Sequence, residues 1–390
     1  MKRSRPLRRP RQTPNTEQLI QLANRLGESS SRIEDTFWEN RLDALIRRLL
    51  VNGDEESLLA ALDTLYKNPS PAYGALADCI EACIETPLLH GAEPLDALLI
   101  AVPVLAWSRF TIAAGAIPPA TLATLRTHLH AHILAANAKL ALCDLLFSPD
   151  QLPADYVETA RLAERLAKTA LHERDLKLDP RQLPETISFL SDTRYLLGAV
   201  VAPRGEALFR WQEADGERAE AFRQWAQQGG EAIRSLLPAC ALEFQPIGAF
   251  HATVLDTDRA ARPWSLRSAV SYLHTVLNVQ PAGVRATVAL FADDQIEEYR
   301  IGFTIGASRD VVHGVVWPLL DGERDTDDIA TRIEAVLREA GITQISLLNQ
   351  RFPLEYCDDC GAPLYPSPDG EPMHAELPEA EAEAAPRHLH

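Results

Sequence analysis

The chain has 390 residues, of which 46% are hydrophobic and 24% charged, and its formal net charge is −17. A chain of this length exceeds one compact core, so two domains are expected, and the composition is that of a globular protein rather than a fibrous or disordered one. So acidic a chain repels a phosphate backbone, which argues against a broad nucleic-acid-binding surface.

Residues 1–15, "MKRSRPLRRPRQTPN", read as a flexible basic tail. Six basic side chains fall within the first twelve positions with no acidic one among them. No apolar segment follows, so the tail is not a secretory signal. If nucleic acid is bound at all, this tail is the expected route. The most apolar run, Ala97 to Trp107, is well short of the roughly 20 residues that span a bilayer, and Pro103 interrupts it. No membrane association is expected. Six cysteines without framework spacing point to free thiols in a reducing compartment, hence a cytoplasmic protein.

From 16 to 190 the helical period dominates, and an all-α domain is expected there. "SRIEDTFWENRLDALIRRLL" places Ser31 three residues before Glu34, the capping-box spacing, and puts Ile33, Phe37, Leu42, Leu45, Ile46 and Leu49 on one side. "DEESLLAALDTLYKN", "PAYGALADCIEACIE", "PLDALLIAVPVLAWS", "PATLATLRTHLHAHILAANAKLALCDLLF" and "ADYVETARLAERLAKTALHE" continue the pattern, each bounded by Pro, Gly or Asn. Residues 191–354 change to an α+β texture. "RYLLGAVVAPRGEALFRWQ" suggests two strands about a Pro-Arg-Gly turn, followed by a helix and the strand "ALEFQPIGAF". Another helix covers Trp264 to Asn278. "VRATVALFADDQIEEYRIGFTI" is a hairpin turning at Asp293-Asp294, and strand "VVHGVVWPLL", helix "TDDIATRIEAVLREAG" and strand "ITQISLLNQRF" complete the order. Two ββαβ-like units are the implied architecture. Residues 376–390, "ELPEAEAEAAPRHLH", form an acidic tail.

The chemistry concentrates in residues 355–375. Cys357 and Cys360 form a Cys-x-x-Cys knuckle whose geometry can place both sulfurs on one cation, and Gly361 supplies the positive φ such a turn needs. "PSPDG" reverses the chain and returns His374 as a third ligand. The expected metal is structural zinc held by Cys357, Cys360 and His374, with the fourth ligand unassigned; a turn that binds nothing has the same spacing. A redox pair is disfavoured: no helix starts after Cys360, and Asp358 and Asp359 oppose thiolate formation.

Other clusters carry less. Cys79 and Cys83 share a helix face and read as core, with a four-thiolate site as the alternative if that helix meets the knuckle. Cys143 and Cys240 read as core positions in helices. His128 and His132 share a face that His130 leaves, and Leu129 stands where a metalloprotease helix needs glutamate. The acidic residues at 293–298 read as a solvated hairpin tip, and those near 321–328 as a helix start. No phosphate-binding loop, dinucleotide fingerprint or nucleophile elbow is present. An enzyme would have to use an interdomain pocket, with His251, His274, His313 and Asp256 as candidate groups converging on it.

"LLIAVPVLAWSRF", "LCDLLFSPDQLP" and "CDDCGAPLYPSPDGEPMHAELPE" together resemble an uncharacterised family of beta-proteobacterial proteins, a domain of unknown function. The resemblance covers nearly the whole chain and implies a bacterial cytoplasmic protein, with no activity or catalytic residue attached. The leading expectation is a non-enzymatic protein that binds an unidentified macromolecule and ends in a zinc-knuckle-like element.

Overall fold

The computed structural model describes residues 13–67, 70–89, 93–186, 189–293, 297–320, 323 and 328–377. Most of the basic tail and residues 378–390, with His388 and His390, lie outside them.

The N-terminal helices form where propensity and caps agree. α1 (Pro14–Gly27), α2 (Arg32–Asn52), α3 (Glu55–Tyr66) and α4 (Pro71–Glu85) start at Thr13, Ser31, Asp54 and Ser70, each of whose side chains accepts a first-turn amide. Their apolar faces meet in one core built on Leu19, Leu45, Ile46, Leu58, Leu76 and Ile80. Within α2, Leu42, Leu45, Ile46 and Leu49 are buried, whereas Ile33 is 87% and Phe37 45% exposed. The apolar stripe expected along the whole helix therefore packs only in its second half. At Phe37 the Arg41 guanidinium covers the ring at 3.5 Å.

The helical reading of the next 60 residues holds only for the segment 119–132 and is overturned on either side of it. "LDALLIAVPVLAW" is a strand, β1 (Leu95–Trp107); after β2 (Gly115–Ala116) and α5 (Pro119–His132), "KLALCDLLF" is another, β3 (Lys139–Phe147). α6 (Tyr156–Leu171) is helical as expected. β4 (Ser191–Pro203) is one long strand, and the expected second strand after its turn is reduced to a bridge between Phe209 and Leu134 and a single 3₁₀ turn. α7 (Arg218–Leu236), β5 (Ala241–Phe244) and β6 (Gly248–Ala249) follow. The sheet runs β2-β3-β4-β1-β5, with β6 also on β1, and β1 pairs antiparallel with all thirteen residues of β4.

β1 and β3 read as helix because this sheet is buried on both faces, which erases the polar alternation. On one face Ile100, Val102 and Val104 of β1 join Leu140 and Leu196 beneath α5 and α7; on the other Leu99, Ala101, Cys143 and Leu197 lie beneath α6. Pro103 survives inside β1 because its carbonyl, which accepts from Gln245 N, faces the break between β5 and β6. N–H and C=O of a strand residue point the same way, so the missing donor is absent where no ladder bond is needed.

α8 (Phe250–Leu277) starts earlier than expected and runs 28 residues through Pro263. At 1.5 Å per residue it is about 42 Å long. Phe250 and Val254 pack on the first sheet, and Leu266, Val270 and Leu273 on a second. That second sheet, ordered β10-β7-β8-β9, comprises β7 (Val284–Ala292), β8 (Glu297–Ile305), β9 (His313–Pro318) and β10 (Gln344–Pro353), with β10 parallel to β7 and the other pairs antiparallel. α9 (Ile329–Glu339) covers the same face as α8, placing Ile329, Ile333 and Leu337 over Val288 and Ile301. The α+β class holds. Of the two ββαβ-like rounds, only the later one forms a sheet by itself, because β4 takes its partners from the stretch read as helical.

The acidic groups near the second sheet are less solvated than expected. Glu298 is buried against Arg300 at 2.6 Å, and Glu323 pairs with the buried Arg262 at 2.5 and 3.0 Å, which holds its carboxyl down to about 2. Among the described residues no helix is long and apolar enough to cross a membrane.

Candidate metal centre

The face of the second sheet opposite α8 and α9 carries the cysteine segment. Two glycines make room for it. A Cβ on Gly302 of β8 would stand 2.3 Å from the carbonyl oxygen of Pro366, and one on Gly314 of β9 would stand 2.3 Å from the Tyr365 ring. Arg300, fully buried in β8, supplies the polar fastening. Its Nη1 donates to the carbonyls of Glu355 at 2.5 Å and Leu364 at 2.9 Å, and its guanidinium lies between the rings of Phe291 and Tyr356.

On this base the chain forms a tight knuckle. Tyr356 bridges to Pro363, Cys357 N donates to Ala362 O at 2.8 Å, and Gly361 N donates back to Cys357 O at 2.8 Å. Gly361 has φ of +73°, as the spacing required. The backbone amides of Cys360 and Asp359 donate to the Cys357 sulfur and, with the Cys360 side chain, pull its thiol below the usual range; the Asp359 carboxylate opposes them weakly. The acidic side chains were expected to oppose the thiolate, and Asp359 does; the amides outweigh it because they bond the sulfur directly while Asp358 and Asp359 are exposed.

A short hairpin then returns the third ligand. β11 (Tyr365–Pro366) pairs with β12 (Pro372–Met373), closed by Ser367 and by Gly370 at φ +80°. Glu376 N donates to Val311 O, pinning the end of the hairpin against the loop before β9. His374 comes to lie with Nε2 3.3 Å from Cys360 Sγ and Nδ1 3.3 Å from Glu376 Oε1. The ligand atoms of Cys357, Cys360 and His374 all lie within 4.8 Å of one another. Tetrahedral zinc, with legs near 2.3 Å to sulfur and 2.1 Å to nitrogen, needs ligand separations of about 3.6 Å, so the three atoms fit one ion with small adjustments. Among the described residues the cluster has three members.

The remaining candidates separate. Cys79 and Cys83 stay in the helical core, where Cys83 donates to Asp43 at 3.0 Å, so no four-thiolate site forms with the knuckle. Cys143 lies in β3 and Cys240 in the turn between α7 and β5, not in helices; burial pushes both thiols up. The rings of His128 and His132 stack at 5.8 Å, and His132 reaches Gln228 instead of a metal partner.

The interdomain quartet does not converge. His251 packs against Phe250 and Tyr156, His274 is exposed and bonded to Val279 O, and His313 is buried near Tyr272 and Phe303. Asp256 lines a separate cavity beside Trp211. The cavity beside Trp211 takes Asp256 alone of the four, and one beside Tyr365 takes His313 alone.

Glu376 was not singled out in the sequence. The signal available for it was its place two residues beyond His374, the reach of a carboxylate that orients an imidazole.

Fold and site define an α+β protein with a peripheral Cys-Cys-His cluster able to hold a metal ion. The chain belongs to a family of proteins of unknown function, DUF2863, whose model matches residues 4–388. No curated protein and no solved structure matches it.

Proposed function

We propose that Cys357, Cys360 and His374 bind zinc, and that the protein is a non-enzymatic binding protein which presents this ion at its surface to a macromolecular partner. The observation that carries the reading is the orientation of His374. Its Nδ1 faces a carboxylate and its Nε2 faces the cysteine pair, the arrangement that fixes the tautomer and raises the basicity of a metal-bound histidine.

Three protein ligands leave a fourth tetrahedral position, and Cys360 is exposed at the rim of the cluster. The amides aimed at the Cys357 sulfur favour the thiolate that a soft cation requires. The protein's own contribution is a rigid platform: Arg300 and the two glycines seat the knuckle on the sheet, so the ion's position is set by the fold. A ligand atom from the partner would complete the coordination.

Cobalt substitution tests this. The cobalt-loaded protein is expected to show thiolate-to-metal charge transfer and tetrahedral ligand-field bands, both weakened in Cys360→Ser. Added imidazole should shift the ligand-field bands by entering the fourth position. An octahedral spectrum identical in Cys360→Ser would refute the site, and bands insensitive to imidazole would refute the open position.

A further inference from the structure

Far along α8 from the second sheet, its N-terminus opens onto a cavity of about 350 Å³. We infer that this cavity binds a small organic anion, its phosphate or carboxylate head held by Arg218 and Thr253 over Gly248 and its apolar body resting on Trp211 and Leu98.

The polar groups converge on one point. A Cβ built on Gly248 would stand 3.0 Å from Thr253 Oγ1 and 3.8 Å from Arg218 Nη2, so the hydroxyl and the guanidinium flank the space that glycine leaves open. Thr253 is only 7% exposed; its carbonyl accepts from Thr257, and among the described residues its hydroxyl has no hydrogen-bond partner. The hydroxyl opens onto the cavity, so an anion there would accept its hydrogen bond. Among the described residues Arg218 makes no ion pair; its guanidinium lies 5.3 Å from the centre of the Trp211 ring, which holds the charge at the cavity mouth. Both side chains can donate, and among the described residues neither has another hydrogen-bond acceptor.

The helix adds to this field. The N-cap of α8 is Ala249, which has no side chain to satisfy the first-turn amides, and a 28-residue helix carries partial positive charge at this end. Glu85 takes the His251 amide at 2.5 Å but does not line the cavity. One carboxylate does line it, Asp256, and that group is paired with Arg259 at 2.9 Å. The opposite wall is apolar: Leu98 of β1, Phe209 and Trp211, the last two stacked at 4.5 Å. The volume is at the small end of ligand pockets, larger than a bare inorganic anion requires and suited to a metabolite-sized molecule.

Isothermal titration of the full-length protein with phenyl phosphate, benzoate and phenol tests the assignment. At least one of the two anions should bind, with phenol at least tenfold weaker; which anion binds tighter identifies the head group. Arg218→Gln, on the exposed side of the site, and Thr253→Val, nearly isosteric, should each weaken that anion at least tenfold, with thermal midpoints near that of the parent. Gly248→Ala, which puts a methyl into the cradle, should abolish binding. Several results would overturn the proposal: neither anion binding up to about 10 mM, a free energy weaker than about 3 kcal/mol, phenol binding as well as the anions, or affinity unchanged in Arg218→Gln.

Discussion

Arg300, in the middle of β8, donates to the carbonyl of Glu355 across 55 positions of sequence, and this contact seats the cysteine knuckle on the second sheet. The guanidinium has no exposure to solvent and also bonds Glu298, so the knuckle is attached through a buried charge pair rather than a surface one.

Removing one partner of a buried pair leaves the other charge desolvated and uncompensated. Arg300→Leu should therefore cost about 3–5 kcal/mol in chemical denaturation, and Arg300→Leu/Glu298→Gln should recover part of that loss. If Arg300→Leu unfolded at the parent's denaturant midpoint, Arg300 would not be what holds the knuckle.

Gly314 gives an independent handle on the same attachment. Because a Cβ there would meet the Tyr365 ring at 2.3 Å, Gly314→Ala must displace the hairpin or the strand, at a cost of about 1–3 kcal/mol. Hydrogen exchange should show faster turnover in residues 355–377 while α1 to α4 exchange as before. Exchange unchanged in that segment would contradict the packing.

The junction of α4 and α8 carries two groups with opposed pH effects. Burial pushes the Glu85 carboxyl from 4.5 up to about 7, partly offset by the His251 amide, and burial pushes the His251 ring from 6.5 down to about 4. For Glu85 the folded value is the higher one, so its contribution to stability is fully present below 4.5 and is lost as pH rises through about 7. For His251 the folded value is the lower one, so stability is lost as pH falls from 6.5 towards about 4. Between 4.5 and 6.5 the two slopes cancel in the native protein. Glu85→Gln should then show a thermal midpoint that falls as pH drops through this window, and His251→Phe one that falls as pH rises. Parallel pH profiles for all three proteins would contradict the assignment.

What the sequence revealed depended on how far each signal had to reach. The knuckle was legible because Cys357, Cys360, Gly361 and His374 lie within eighteen residues, where spacing alone limits geometry. The strands β1 and β3 were not, because helices cover both faces of their sheet and leave unbroken apolar runs that suit a helix equally well. Arg300 was hidden for a related reason. In "EEYRIGF" it alternates with Tyr299 and Ile301, which face the core, so strand periodicity assigns it to solvent. Only the tertiary arrival of the knuckle buries it, and no local pattern announces that. The same limit applies to His251, His274, His313 and Asp256: residue type and a place near predicted strand and helix ends suggested a shared pocket, and the fold gives them separate surroundings.

The central claim is that Cys357, Cys360 and His374 form a metal site, and metal analysis of the purified full-length protein tests it most directly. The account predicts about one equivalent of zinc per chain, lost in Cys357→Ser/Cys360→Ser. Zinc well below one equivalent, and unchanged in the double variant, would contradict it.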